Sequence, residues 1–262
     1  MKAPSPARGV ASTFEYWFLR YRRSWRGTVV SAFLLPVLYL SALGLGVGTL
    51  VDRAGTGPAG EAGYLGFVGP GLLAAGALQI AAAEGTHPVL AALRWNKAYH
   101  TMIGAPIGVT SLVTGHLAFI AVRVLMAAVV FTVVMVAFGA ASSPLVVLAV
   151  PVAVLVGLAC APGIVAYTLW VDNDASLTVL LRFVVLPMVL FCGTFTPVAV
   201  LPDAVQPVIY CTPLYHGAQL CRELATGAVR LGSAAGHVAV LLAWAGVGFL
   251  LAVTVCRRRL VR

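Results

Sequence analysis

Six apolar stretches, at residues 29–51, 64–84, 108–138, 145–170, 177–196 and 235–256, alternate with short polar segments along the chain. Each is near or above the roughly 20 residues that a helix needs to cross a bilayer. Turn signals separate most of them. Residues 52–63 are glycine-rich, and Ser142-Ser143-Pro144 breaks the chain between the third and fourth stretches. The pattern predicts an all-α integral membrane protein of six transmembrane helices, with the long third and fourth spans tilted. The run Gly44-Leu45-Gly46-Val47-Gly48 offers either a close-packing helix face or simple helix plasticity.

Three further segments do not read as spans. Over residues 12–26, Ser12 and Glu15 have capping-box spacing. Phe14, Trp17, Phe18, Tyr21 and Trp25 then recur every three or four residues, with Arg22, Arg23 and Arg26 largely off that stripe. An aromatic face with a basic flank predicts a helix lying on the membrane surface; the alternative is an aromatic belt leading into the first span. The loop from Gly85 to Pro106 holds Arg94, Trp95, Asn96, Lys97, Tyr99 and His100 and has room for one short helix. Exposed Trp, Tyr and Arg there would anchor a cytosolic partner; the alternative is a solvated connector. Between Pro197 and Gly232, Pro197, Pro202, Pro207 and Pro213 cut the chain into pieces too short to span. Its second half places Leu214, Ala218, Cys221 and Ala225 on one face and His216, Gln219, Glu223 and Thr226 on another, with Gly227 as a stop. A pair of short helices dipping into the outer leaflet, or capping the bundle, is expected.

Composition agrees with this reading. The 262 residues are 61% hydrophobic and 10% charged, against roughly 25% charged in soluble domains, so the apolar excess must face lipid. The net charge of +9 lies in blocks between spans and not on one basic face, which excludes nucleic acid as a partner. With six spans, one side receives Lys2, Arg8, Arg20, Arg22, Arg23, Arg26, Arg94, Lys97, Arg257, Arg258, Arg259 and Arg262, and the other only Arg53, Arg222 and Arg230. The positive-inside rule then puts both termini in the cytoplasm. The apolar run after Arg26 is too long for a signal-peptide core, so an uncleaved anchor is expected. The five cysteines lack metal spacing; Cys211 and Cys221 flank an outer loop and could form a disulfide.

The run Phe191-Cys192-Gly193-Thr194-Phe195-Thr196-Pro197, then Leu201-Pro202, then Thr212-Pro213-Leu214-Tyr215-His216, resembles the C-terminal signature of type-2 ATP-binding-cassette export permeases. The nodulation lipo-oligosaccharide and daunorubicin-type drug export permeases are the most similar subgroups. Arg94 to Tyr99, Gly115 with Arg123, and Asp172-Asn173-Asp174 extend the resemblance over nearly the whole chain. It implies an N-terminal interfacial helix (1–28), a six-helix permease domain (29–256) with a cytoplasmic coupling helix and an extracytoplasmic re-entrant hairpin, and a basic tail (257–262). It also implies ATPase coupling through Arg94, Trp95, Asn96, Lys97, Tyr99 and His100, and an outer hairpin bearing Pro197, Pro202, Pro213, Tyr215 and His216. Three positions depart from the family's habit: His100 replaces an acidic residue, His116 a common Glu, and Ala105 a Thr or Ser.

The chain has no P-loop, since Lys2 and Lys97 are its only lysines and neither follows a GxxxxG run. It is therefore expected to bind no cofactor itself, and to rely on ATP and Mg held by a separate ATPase. Two ATPase copies and a second permease copy, identical or related, are implied. Outward movement of a lipid-linked, glycolipid, oligosaccharide or amphipathic drug-like substrate is the expected function, in a bacterial inner membrane. Arg123 lies in mid-span, where a charge costs about 2.5–3.5 kcal/mol on insertion scales. It marks either a structural salt bridge, in which Glu84 pairs with Arg123 or with Arg182, or a translocation path shared with His116 and Arg182. The rival classes are a lipid-modifying membrane enzyme, for which Asp172 and Asp174 are the only close carboxylate pair, and a non-transporting regulatory subunit.

Overall fold

The structure is a computed structural model and describes residues 5–54, 63–105 and 107–261; the side chains of residues 24, 25, 27–33, 35, 45 and 52–54 lie outside the description. Within those limits the chain is helical. In order come α1 (Pro6–Ser41), α2 (Thr49–Ala54), α3 (Gly63–Gly85), α4 (His87–Leu90), α5 (Ala98–Gly104), α6 (Val109–Ala137) and α7 (Ala149–Trp170). There follow α8 (Asp174–Leu180), α9 (Leu186–Phe191), α10 (Gln206–Tyr210), α11 (Pro213–Thr226) and α12 (Leu231–Leu260). Wider π-helical turns occupy Ala42–Gly48, Ala91–Trp95 and Leu181–Val185.

Among the described residues, five helical segments are long and apolar enough to cross a bilayer: Gly63–Trp95, Val109–Ala137, Pro144–Trp170, Asp174–Phe191 and Leu231–Leu260. They coincide with the second to sixth expected spans. The expected first span falls partly on undescribed side chains, and its described part, Pro36–Val51, is apolar but shorter.

Two features differ from the sequence expectation at the N-terminus. There is no separate surface helix: α1 runs unbroken for 36 residues, because nothing between Ala11 and Pro36 interrupts it. Ser5 stands at its cap position, with Pro6 in the first turn, so Ser12 and Glu15 are exposed mid-helix residues and form no capping box. The described part of the aromatic stripe is divided between the bundle and the surface. Trp17 is 1% exposed, because this face packs on α6. Phe14 is half-buried and Phe18 exposed, their rings stacked at 6.0 Å; Trp25 lies outside the described side chains.

α3 is the central helix, in contact with α6, α7 and α11, while α1 lies on α6 and α12 on α7. Small residues permit this. Gly66, Gly69, Gly71, Ala74, Ala75, Ala77, Ala81 and Ala82 of α3 are all buried. A Cβ on Gly71 would stand 2.9 Å from the Thr194 carbonyl oxygen, and one on Gly115 of α6 would stand 2.7 Å from that of Val10. Helices in lipid gain no hydrophobic drive toward each other, so backbone approach of this kind supplies the packing energy. The glycine run predicted at 44–48 forms one of the π turns, and Gly44 faces Leu65 of α3.

The bundle has a basic end, with Pro6, the α4–α5 segment, the α7–α8 turn and the end of α12, and an opposite end. At the opposite end α11 descends into the bundle antiparallel to α12: the Trp244 indole donates to the Cys211 carbonyl at 3.0 Å. The outer terminus of α11 is held by the α6–α7 turn, where the amides of Ser142 and Ser143 both donate to the Ala225 carbonyl at 3.0 Å. Gly227 ends the helix in the left-handed region at φ 77°, which glycine adopts without penalty. All five cysteines are free, and Cys221 is buried on α11 while Cys211 is exposed. The conceivable disulfide between them does not form.

Gly115→Ala is expected to destabilise the protein by about 1–3 kcal/mol, through collision with the Val10 carbonyl. Gly246→Ala, with open space at its Cβ, is the matched control. Thermal unfolding in one detergent compares them, and equal melting temperatures would refute the close contact.

Candidate functional site

At the basic end, side chains from α1, α3, α5 and α6 converge. The Trp17 ring stacks on His116 with centroids 4.2 Å apart and planes within 12°. The Tyr99 hydroxyl and His116 Nδ1 share a hydrogen bond of 2.8 Å. Two turns further along α6, Arg123 lies over the Tyr21 ring at 4.3 Å and its Nε stands 3.2 Å from Glu84 Oε1. Of the partners open to it in the sequence, Arg123 takes Glu84. Arg182 is exposed on the π turn after α8 and does not join this cluster, so His116 and Arg123 share a site that Arg182 does not.

The segment from 86 to 105 holds more helix than the single short one expected: α4, a π turn, then α5. The break falls at Lys97, whose φ of 51° is the one left-handed non-glycine backbone among the described residues. Asn96 stabilises the restart by accepting the Ala98 amide at 3.0 Å. The elbow divides the expected coupling residues into two groups. Trp95, Asn96, Lys97 and His100 are exposed, with Trp95 at 65%. Tyr99, expected to be an exposed anchor, is instead buried. Burial pushes its hydroxyl well above the usual phenol range, so it stays protonated.

Arg94 reaches Asp172 in the α7–α8 turn, and Arg259 near the end of α12 reaches the same carboxylate. Arg259 also donates to the carbonyls of Leu169 at 2.9 Å and Trp170 and Val171 at 3.2 Å. Asn173 caps α8 by accepting the Ser176 amide at 2.9 Å, and Asp174 opens that helix. Asp172 is thus engaged by two arginines, while Asp174 lies exposed in the first turn of α8.

The opposite end contains the element that the sequence pattern left unassigned. Arg222 points from α11 into the bundle, donating to the carbonyls of Gly193 at 2.7 Å and Phe67 at 3.2 Å and to Gln219 at 2.9 Å. Its guanidinium lies 3.9 Å from the Phe67 ring centroid. The signal existed: Arg222 lies one turn past Ala218, at the edge of the Leu214–Ala218–Ala225 face, where a charge requires partners. Pro197 precedes a short 3₁₀ turn and Pro202 follows it, while Pro213 begins α11. Tyr215 and His216 pack at 5.4 Å between ring centroids. Beside the inner end of α11, a cavity of about 580 Å³ lies among α7, α8, α9, α10 and α12. Its lining is almost wholly apolar, with Phe183, Met188, Val208, Trp244 and Leu251 among the larger side chains.

This architecture, a span-crossing helical bundle with polar staples at its ends and an exposed elbow at the basic end, defines a multi-pass membrane protein. The ABC-2 type transporter family matches residues 12–225, and the chain belongs to that family. It is similar to nodulation protein J of Sinorhizobium fredii, at 28% identity over 252 residues, and of Rhizobium meliloti, at 27% over 254, covering 94% of each chain in both comparisons. Nodulation protein J of Bradyrhizobium diazoefficiens is 27% identical over 256 residues with the same coverage. No solved structure matches the chain. Members of this family are membrane subunits normally paired with an ABC ATPase subunit.

Arg222→Met is expected to cost about 2 kcal/mol or more, because the carbonyls of Gly193 and Phe67 lose their charged donor. Arg230→Met, at an exposed position, should cost almost nothing. Unfolding in detergent separates the two, and equal stabilities would remove the structural role of Arg222.

Asp172 gives a pH expectation. Hydrogen bonding from Arg259, with the charges of Arg259 and Arg94, holds its carboxyl below the usual range. Its contribution is therefore complete above the unfolded value near 3.9 and is lost as pH falls through the lower folded value. Asp172→Asn should reduce the acid-side loss of stability below about pH 4 and leave the slope between about pH 5 and pH 8 unchanged.

Proposed function

We propose that the chain is the permease half of an ATP-driven exporter, moving a lipid-linked, glycolipid or amphipathic drug-like molecule outward. The observation that carries this reading is the split elbow at the basic end. Trp95, Asn96, Lys97 and His100 present an exposed docking surface, and Tyr99, two residues past the bend, reaches the buried His116 of a spanning helix. A force on the outer face of the elbow would thus be delivered directly to α6 and, through the Trp17 stack, to α1. The Arg94–Asp172–Arg259 staple would carry the same displacement to α7 and α12.

On this reading the basic end faces the cytoplasm of a bacterial inner membrane, as the distribution of arginines favours. α1 supplies the first span, bringing the total to six, and the α10–α11 segment is a re-entrant hairpin, which the depth of the Trp244–Cys211 contact supports. The second permease copy would cover the apolar face of α8 and α9, where Phe183, Val184, Leu186 and Leu190 are exposed. The apolar cavity beside that face favours a substrate with a hydrocarbon portion. Glu84 and Arg123 would then hold α3 to α6 while the halves rock.

Reconstitution of the chain with its ATPase in proteoliposomes tests the proposal: ATP-dependent flux of an amphiphile is expected, and no flux with any lipid, glycan or drug would refute export. Trp95→Ala should weaken ATPase association by about 2 kcal/mol, as for a central aromatic anchor. Unchanged co-purification would move the docking surface elsewhere.

A further inference from the structure

Three ionisable side chains, His216 of the outer hairpin among them, meet between α11 and the first turns of α12. His216 Nδ1 lies 2.7 Å from His237 Nδ1. His216 Nε2 lies 2.8 Å from the Tyr210 carbonyl oxygen. His237 Nε2 stands 3.8 Å from Glu223 Oε1, with both side chains only 14% exposed. Ser233 donates to the same carboxylate oxygen at 2.9 Å, while Glu223 Oε2 is buried without a hydrogen-bond partner.

The hydrogen positions follow from the acceptors. A carbonyl oxygen only accepts, so His216 Nε2 carries a proton. Two ring nitrogens 2.7 Å apart hold one proton between them, not two and not none. If both rings are neutral, that proton belongs to His237 Nδ1. His237 Nε2 then turns a lone pair toward the Glu223 carboxylate, and the cluster carries a buried, uncompensated negative charge. A buried lone charge is costly. One added proton removes both faults: shared by His237 Nε2 and Glu223 Oε1, it completes the chain Tyr210–His216–His237–Glu223 and brings the net charge to zero. A second proton would have to go to Glu223 Oε2, which has no partner, and would leave the cluster with a buried, uncompensated positive charge.

We propose that His216, His237 and Glu223 form a binding site for one proton that fastens α11 to α12. The groups facing this site are Tyr210 on α10, Tyr215 and Glu223 on α11, and Ser233 on α12. Arg222 is turned away into its carbonyl cage, and Arg230 is exposed at the start of α12. None of these supplies a cation to the carboxylate, so among the described residues the proton is the one counter-charge at hand. Ser233 is exposed, which gives the site a route to solvent. The proton belongs to the three groups jointly, as coupled titrations require. Uptake locks the inner-pointing α11 against the last span, and release frees it.

Backbone amide exchange on the full chain in lipid nanodiscs tests the site without any ATPase or transport, so its result is independent of the exporter reading. After correction for intrinsic exchange, protection of residues 216–227 should rise about tenfold, the effect of one unit of proton affinity, between about pH 8.5 and about pH 5.5. In His237→Gln and in Glu223→Gln the pH response should vanish. Ser233→Ala, which keeps all three titrating groups, should retain it. A flat wild-type profile, or a wild-type response in either Gln variant, would overturn the proposal; the two variants serve as substitutes should one of them not fold.

Discussion

A cation inside a bilayer must find a counter-charge or a set of carbonyl oxygens, because no water is there to solvate it. This constraint organises the structure more than the apolar spans do. Arg123 meets Glu84 and the Tyr21 ring, and Arg222 meets two backbone carbonyls and Gln219; at the basic surface Arg259 repeats the pattern with three carbonyls and Asp172. Each pairing joins elements distant in sequence, and each fixes a helix contact that lipid-exposed leucines and valines could not specify. The buried glycines and alanines of α3 set how near the helices come; the arginines decide which turn faces which.

The two ends of the bundle use these pairings differently. At the basic end, Arg94 and Arg259 share an exposed carboxylate, which solvent and salt can weaken. That suits a surface that must shift as a partner moves. At the opposite end, Arg222 is enclosed and donates to backbone, giving a contact that ionic strength does not reach. The elbow at Lys97 connects the yielding end to the aromatic cluster of Trp17, His116 and Phe119, so a displacement at the surface enters the bundle through stacked rings and not through loop backbone.

The spans were legible because a run of about twenty apolar residues has one physical explanation. The start of α11 at Pro213 and its stop at Gly227 were legible from turn chemistry. Other features were hidden for definite reasons. Ser12 and Glu15 imitate a cap inside a helix whose start lies at Pro6, because spacing alone does not reveal whether a helix has already begun. The aromatic stripe of α1 reads equally well as lipid-facing or helix-facing, and only the opposing surface of α6 decides. The π turn at Leu181–Val185 resets the face on which later residues fall, so Arg182 could not be assigned a direction by counting at 3.6 residues per turn. Tyr99 with His116, and Asp172 with Arg259, meet across the fold, and nothing in either neighbourhood announces the other. Arg222 alone left a readable trace, a charge at the edge of an apolar helical face.

The attachment of α11 has a mechanical meaning. Its outer terminus is held by two backbone bonds to the α6–α7 turn, whereas its inner terminus is held by an indole N–H and a Thr212–Cys192 contact of 3.2 Å. The helix is therefore a cantilever, clamped at the surface with its tip beside the apolar cavity. Fourteen residues give it a length of about 21 Å, so a rotation of roughly 6° at the clamp carries the tip about 2 Å. A small tilt at the membrane surface becomes a change of cavity shape at the bundle's centre, with no need for the helix itself to unwind.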